Sequence, residues 1–267
     1  VKKIAFTIVL NGMPFIERQY NIIPKVFDHW YIIEGVTKPI LDTGWCKNIS
    51  KDFYSDEYTS VDGTFEFLNK ICNDKNITVI RKDNFWDGKV EMCNSFMNEI
   101  EDCILMQFDV DEIWDIDTLR SVLEYSDSND DFDGMLFKCN YFVGPDLLTV
   151  GENCYGDNSN EWCRLWKIKN KSFWISHEPP RIKGCLNFLT KNFTKQKNWI
   201  FNHYAYVLES QLKFKEIFYN YSGALECWKK LQNETDLPCK LNKYLPWVDD
   251  SVIVKKNNGK NSFNISF

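Results

Sequence analysis

Apolar residues recur along the first half of the chain in short runs separated by longer amphipathic stretches, the alternation that builds a mainly parallel sheet with crossover helices. Residues 3–10 (KIAFTIVL), 29–34 (HWYIIE), 77–81 and 103–108 (CILMQF) read as four strands. Helices are predicted from Pro14 to about 27, over 61–73, over 89–100 and from 117 to about 125. Pro14 follows the Asn11-Gly12 turn and suits a first helical turn, while Asp115 and Asp117 suit the cap of the fourth helix. Past residue 127 the pattern changes. Residues 134–143 (GMLFKCNYFV), 161–168 (EWCRLWKI), 172–177 and 199–207 read as extended and are rich in aromatics. Residues 209–221 read as an amphipathic helix, with Leu212, Ile217 and Phe218 toward the core and Lys213, Lys215 and Glu216 outside. The Lys/Asn-rich end, from about 254, is expected to be poorly ordered. The expected fold class is α/β, one domain over 1–253 with halves meeting near 127, followed by a tail over 254–267.

The fourth strand runs straight into Asp109-Val110-Asp111-Glu112. Side chains alternate along a strand, so Asp109 and Asp111 are expected to point the same way at its end. Three carboxylates in one place are costly to assemble without a cation, and hard oxygen ligands there can share Mg²⁺ or Mn²⁺ with a substrate's phosphates. A solvated acidic turn is the alternative. The apolar run leading into the acids favours a ligand crevice at the carboxyl end of a buried parallel strand.

The chain has 267 residues, enough for one large α/β domain or two small ones. Its 32 basic and 38 acidic residues give a net charge of -6, which argues against a nucleic-acid partner and leaves no polybasic membrane patch. An anionic substrate must then be met by a local device such as a metal. No stretch approaches the ~18 apolar residues of a membrane span, and the N-terminus carries no signal-peptide pattern. A cytoplasmic protein is expected, with peripheral membrane association or a larger parent protein left open. The 10 cysteines form no C-x-x-C pair, and several lie in apolar runs, so they read as reduced, buried small hydrophobes.

Placed after the fourth strand of an alternating α/β half, the D-V-D-E resembles that of the GT-A glycosyltransferases, in particular family 2-like enzymes. TIVLNGMPFI (7–16) is similar to that family's opening strand and turn, and FWDGKVEMCN (85–94) to its aromatic-to-Asn helix start. RLWKI (164–168), SHEPP (176–180) and NHYAYV (202–207) look like the R-L-F, H-E and H-Y-G-Y elements of one family 2 branch, in the same order. The resemblance covers about residues 3–221. It departs at Cys93, where the family more often has Arg before Asn94, and at Ala205, where it usually has Gly. The first departure puts phosphate contacts at that helix in question, with Lys89 available as a replacement charge. The resemblance implies a GT-A (Rossmann-like) fold with a nucleotide-binding first half and a smaller acceptor-side second half. It implies transfer of a sugar from a UDP- or GDP-sugar to a hydroxyl on a glycan, lipid-linked or protein acceptor, with Mn²⁺ or Mg²⁺ as cofactor and inversion expected.

A divalent metal bridging both phosphates stabilises the leaving group without proton transfer. Asp109 and Asp111 would hold it, Asp109 also lying near the ribose. A further ligand would come from His203 first and His177 next, each raised above the usual structural role of a lone histidine by its matched motif. Glu34, ending the second strand, is placed to accept from base or ribose, with loop solvation as an equal alternative. Asn11, Gly12, Asp83, Lys89 and Asn94 complete the donor side, and Asp62 either caps a helix or lines the donor site. The general base is assigned to Glu178, with Glu161 and Asp157 as alternatives. Arg164 and Lys183 could bind phosphate or acceptor, though surface pairing is the default for both. Of Trp162, Trp166, Trp174, Trp199, Tyr204 and Tyr206, one or two are expected to touch sugar. A nucleotidyltransferase acting on a sugar phosphate would want a Gly-rich basic loop after strand one, which Asn11-Gly12-Met13 matches poorly. A non-catalytic nucleotide- or carbohydrate-binding protein of the same fold is the remaining alternative; it would be expected to have lost the acids and late histidines present here.

Overall fold

The computed structural model describes residues 1–150, 162–169 and 172–257. The alternating first half yields β1 (Lys2–Val9), α1 (Phe15–Tyr20), β2 (His29–Glu34), α2 (Thr64–Ile71), β3 (Ile77–Ile80), α3 (Lys89–Asn94) and β4 (Cys103–Gln107), then the short β5 (Glu112–Ile113) and α4 (Ile116–Ser128). The second half opens with β6 (Gly134–Leu136), β7 (Lys138–Gly144), β8 (Leu147–Val150) and β9 (Cys163–Ile168). The hairpin strands β10 (Trp174–His177) and β11 (Pro180–Ile182) follow, then β12 (Phe188–Leu189), α5 (Lys191–Gln196) and β13 (Ile200–His203). Helices α6 (Glu209–Phe218) and α7 (Ala224–Gln232) precede β14 (Cys239–Lys240) and β15 (Ile253–Lys256).

The main sheet has the order β12-β6-β9-β4-β1-β2-β3, and every strand in it runs the same way except β9. Successive side chains of its central strands enter opposite cores. Ile4 and Phe6, Tyr31 and Ile33, and Leu105 pack with Met92 and Cys93 of α3. Ala5, Trp30, Ile32, Ile104 and Met106 pack with Ile16, Leu68 and Leu119 of α1, α2 and α4. Helices thus cover both faces, which is why these strands are nearly continuous apolar runs. A second sheet, β14-β15-β8-β7-β13-β5, joins the two halves because β5 belongs to the first and the rest to the second.

Several elements differ from the sequence reading. The first helix stops at Tyr20 rather than about 27, since Pro24 lacks the N–H an α-helix needs, and a 3₁₀ turn over Ile23–Lys25 follows. The third ends at Asn94, not 100. The single run 134–143 is two strands in two sheets, parted at Phe137, whose N–H donates to Trp162 O at 2.9 Å. Residues 253–256, assigned mostly to the tail, are strand β15, with Val254 fully buried between β8 and β14. In α6, Leu212 and Phe218 are buried, but Ile217 is 38% exposed. Asp115 alone caps α4, accepting from the N–H groups of Asp117 and Thr118. Among the described residues Cys46, Cys93, Cys103, Cys139, Cys163 and Cys185 are buried free thiols, and no helix is long and apolar enough to cross a membrane.

Candidate active site

The winding of the main sheet reverses between β1 and β4, and open α/β sheets form their ligand crevices outside the carboxyl ends of strands at such a point. A cavity of about 1060 Å³ lies there. Val9 at the end of β1 with Leu10 and Asn11 beyond it, Gly35 and Val36 beyond β2, and Asp109 to Asp111 beyond β4 form one wall. The β10–β11 turn, the end of β13 and one face of α6 form the other.

Asp109 and Asp111 lie in a turn rather than on a strand, and Glu112 opens β5. β4 ends at Gln107, and Glu112 N–H donates back to Asp109 O at 2.9 Å. Gln19 of α1 pins this turn, donating from Nε2 to the carbonyls of Asp109 (2.7 Å) and Glu112 (3.2 Å) while its Oε1 accepts from the Thr7 hydroxyl at 3.1 Å. Asp109 and Asp111 consequently take different partners. Asp109 Oδ2 accepts from Arg164 Nη2 at 2.8 Å, and Oδ1 accepts from Gln107 Nε2 at 2.8 Å. Arg164 also grips Glu112, with Nε to Oε2 at 2.8 Å and Nη2 to Oε1 at 2.6 Å. At 2% exposure it is a buried counter-cation carried in by β9 alongside β4, not the surface partner expected. Lys183 is exposed, as expected, and stands over the Phe173 ring rather than against a carboxylate.

Asp111 lines the cavity with its Oδ1 3.3 Å from His203 Nε2, and its Oδ2 accepts from Gln211 Nε2 of α6 at 3.2 Å. Antiparallel pairing of β13 with β5 sets His203 opposite Glu112 and so beside the turn. Burial works to raise Asp109, but Arg164, His177, His203 and the Gln107 amide together overcome it and hold the carboxyl at about 2. Burial is likewise overcome at Asp111, chiefly by His203, and its carboxyl is lowered. For His203 burial works downward and Asp111 upward, and the imidazole is raised. Burial pushes Glu112 up to about 7 against the pull of Arg164.

Glu178 sits in the tight turn between β10 and β11 and accepts from Lys89 Nζ at 2.9 Å. His177 Nδ1 is 3.7 Å from the same oxygen, and its Nε2 is 3.2 Å from Gln107 Nε2. Burial pushes Glu178 up, but Lys89 and His177 outweigh it and hold the carboxyl well below the usual range. His177 therefore stands between the acidic turn and Glu178. Asp157 and Glu161, the alternatives to Glu178, lie outside the described residues.

The donor-side candidates separate. Asn11, at φ +57°, a conformation Asn tolerates, borders the cavity, its side chain accepting from Val61 N–H and donating to Phe53 O. Asp62 also borders it, while accepting from the N–H groups of Met13 and Thr64. Gly12 does not: it is buried where a Cβ would stand 2.6 Å from Val9 Cγ2 and 2.7 Å from Val110 Cγ2, so its role is close packing under the acidic turn. Glu34 is fully buried, paired with Arg81 and accepting from Ser60 N–H, which removes it from ligand reach. Asp83 is exposed away from the cavity lining. Asn94 clasps the backbone of Trp174, donating to its O and accepting from its N–H. Of the six aromatics proposed for stacking, Trp162 and Tyr206 line the cavity; the other four are core.

The residues fit a divalent cation at one place. Asp111 Oδ1 and His203 Nε2, 3.3 Å apart, approach the separation of about 3 Å between neighbouring ligands of a six-coordinate ion with bonds of about 2.1 Å. Both oxygens of Asp109 are already engaged, and among the described residues no three His, Cys, Asp or Glu side chains stand in metal-holding geometry. The fit is to an ion with two protein ligands whose other positions go to phosphate oxygens and water. The sequence reading missed Lys215 and Gln211, which line the cavity from α6. The available signal was spacing: Lys215 is three residues from each of the buried Leu212 and Phe218, inside the apolar stripe.

No protein-family model matches the chain, and its sequence matches no curated protein. Among solved structures, it is similar to S. aureus TarS at 14% identity and a TM-score of 0.42, over 62% of this chain and 28% of that one. TarS 1-349 aligns over 82% of this chain and 55% of that one at 14% identity and a TM-score of 0.42. TarS 1-349 in complex with UDP-GlcNAc aligns over 62% and 45% at 13% identity and a TM-score of 0.43. The chain therefore spans 28% to 55% of the length of these structures.

Proposed function

We propose that the chain is a metal-dependent glycosyltransferase that moves a sugar from a UDP- or GDP-sugar to an acceptor hydroxyl with inversion. One observation carries this reading: at the switch point, a carboxylate–imidazole pair, an ionised glutamate and two lysines share the lining of a single cavity. At about 1060 Å³ the cavity stands at the top of the usual range of about 300–1,000 Å³ for a small-molecule site, a size that suits a nucleotide sugar. Asp111 and His203 would hold Mn²⁺ or Mg²⁺, which when bound supplies positive charge to the departing diphosphate. Arg164 keeps Asp109 ionised and fixes the turn that presents Asp111. Glu178, kept ionised by Lys89 and His177, takes the proton of the acceptor hydroxyl as that oxygen attacks the anomeric carbon. The new C–O bond forms on one face while the bond to the diphosphate oxygen breaks on the other, its electron pair leaving with the diphosphate.

The test is nucleotide release from a panel of UDP- and GDP-sugars, with Mn²⁺ and with EDTA. Release of one nucleoside diphosphate, dependent on metal, is the expected result. Pyrophosphate release from a nucleoside triphosphate and a sugar phosphate would instead identify nucleotidyl transfer, and binding without turnover a non-catalytic protein.

A further inference from the structure

The two lysines of the cavity differ in what holds them. Lys89 Nζ is occupied by Glu178 at 2.9 Å. Lys215 has no carboxylate within ion-pair distance among the described residues; its Nζ stands over the Tyr206 ring at 4.9 Å and the Tyr219 ring at 5.8 Å. Aromatic faces attract an ammonium without neutralising it. Burial works to lower the pKa of this ammonium and Asp111, beyond ion-pair distance, to raise it; the cost of holding a cation partly out of water is offset when an anion enters.

Helix α6 fixes where that anion would be met. Gln211 donates to Asp111 Oδ2 at 3.2 Å and to Tyr204 O at 2.7 Å, which ties this face of the helix to the acidic turn. Lys215 follows Gln211 by four residues, one turn and about 6 Å along the axis on the same face. The unneutralised ammonium therefore borders the space beside Asp111, on the wall opposite the carboxyl ends of β1 and β4. We propose that Lys215 is the diphosphate-binding residue of this cavity, its ammonium donating to phosphate oxygens of the donor and remaining with the diphosphate as it leaves. This assignment rests on the nucleotide-sugar reading of the same site.

The experiment is calorimetric titration of UDP, GDP and inorganic pyrophosphate, with Mn²⁺ present, into the wild type, Lys215→Met, Lys215→Arg and Lys213→Met, the last altering an exposed neighbour. Loss of one charge-assisted contact predicts about ten- to a hundredfold weaker binding in Lys215→Met. Lys215→Arg should restore most of the affinity, and Lys213→Met should bind as the wild type does. The ligand-free Lys215→Met protein should melt no lower than the wild type, because no ion pair is lost. If the wild type binds UDP or GDP and Lys215→Met binds it equally well, the role of Lys215 is overturned and the donor reading stands. If the wild type binds none of the three, the donor reading falls and takes this assignment with it.

Discussion

The two walls of the cavity are built differently. The wall at the carboxyl ends of the parallel strands is held from within its own half: Gln19 and Thr7 pin the acidic turn, and Asn11 ties the loops beyond β1 and β2. The wall from the second half supplies the opposite charge. Arg164 answers Asp109, His203 and Gln211 answer Asp111, and Glu178 answers Lys89. Each of these ties crosses from one half to the other. The lesson is that neither wall sets its ionisation alone: burial would raise Asp109, Asp111 and Glu178, and the strongest opposing charge at each, Arg164, His203 and Lys89, comes from the facing wall.

Removing the proposed base tests that division most severely. Glu178→Gln should lower turnover by about 10²–10⁴-fold while leaving nucleotide affinity near that of the wild type. Steady-state kinetics paired with nucleotide titration measures both, and equal loss of affinity and turnover would reassign Glu178 to binding. Next is Arg164→Ala, which strands the fully buried Glu112 and also unpairs Asp109. It should cost about 3–5 kcal/mol in urea denaturation, whereas a loss below about 1 kcal/mol would mean that the walls are not joined through this pair.

Lys89→Met should produce the smallest change and sharpen the comparison most. Glu178 acts as a base only when ionised, so activity falls as pH drops through its pKa. Lys89 is the main influence holding that pKa low, against burial, which works to raise it. Without the ammonium, the acid limb of the kcat/KM profile should move to higher pH. An unmoved limb would show that another group governs it.

The difference between the walls also explains what could be read in advance. The parallel strands and the acidic turn were legible because strands buried on both faces are unbroken apolar runs, and β4 empties directly into the acids. His203, Glu178 and the cavity role of Asp111 carried motif signals of their own. A glutamate at a strand end reads as either ligand-facing or loop-solvated, and Glu34 is neither. The β2–β3 register, with Ile33 opposite Ile80, leads the next residues, Glu34 and Arg81, into a pair instead. Arg164 and Lys215 were assigned outward because sequence carries the identity of a charged residue but not the neighbour that buries it. β7 was hidden by its continuity with β6, and β15 by the lysines around the single buried Val254.

The central claim is that Asp111 and His203 form the metal edge of a nucleoside-diphosphate site. It is tested most directly by thermal-shift titration of UDP and GDP, each with and without Mn²⁺, on the wild type and on Asp111→Ala. Stabilisation by one diphosphate that requires Mn²⁺ and disappears in Asp111→Ala is the expected result. Stabilisation by neither nucleotide, or stabilisation that survives in Asp111→Ala, would contradict it.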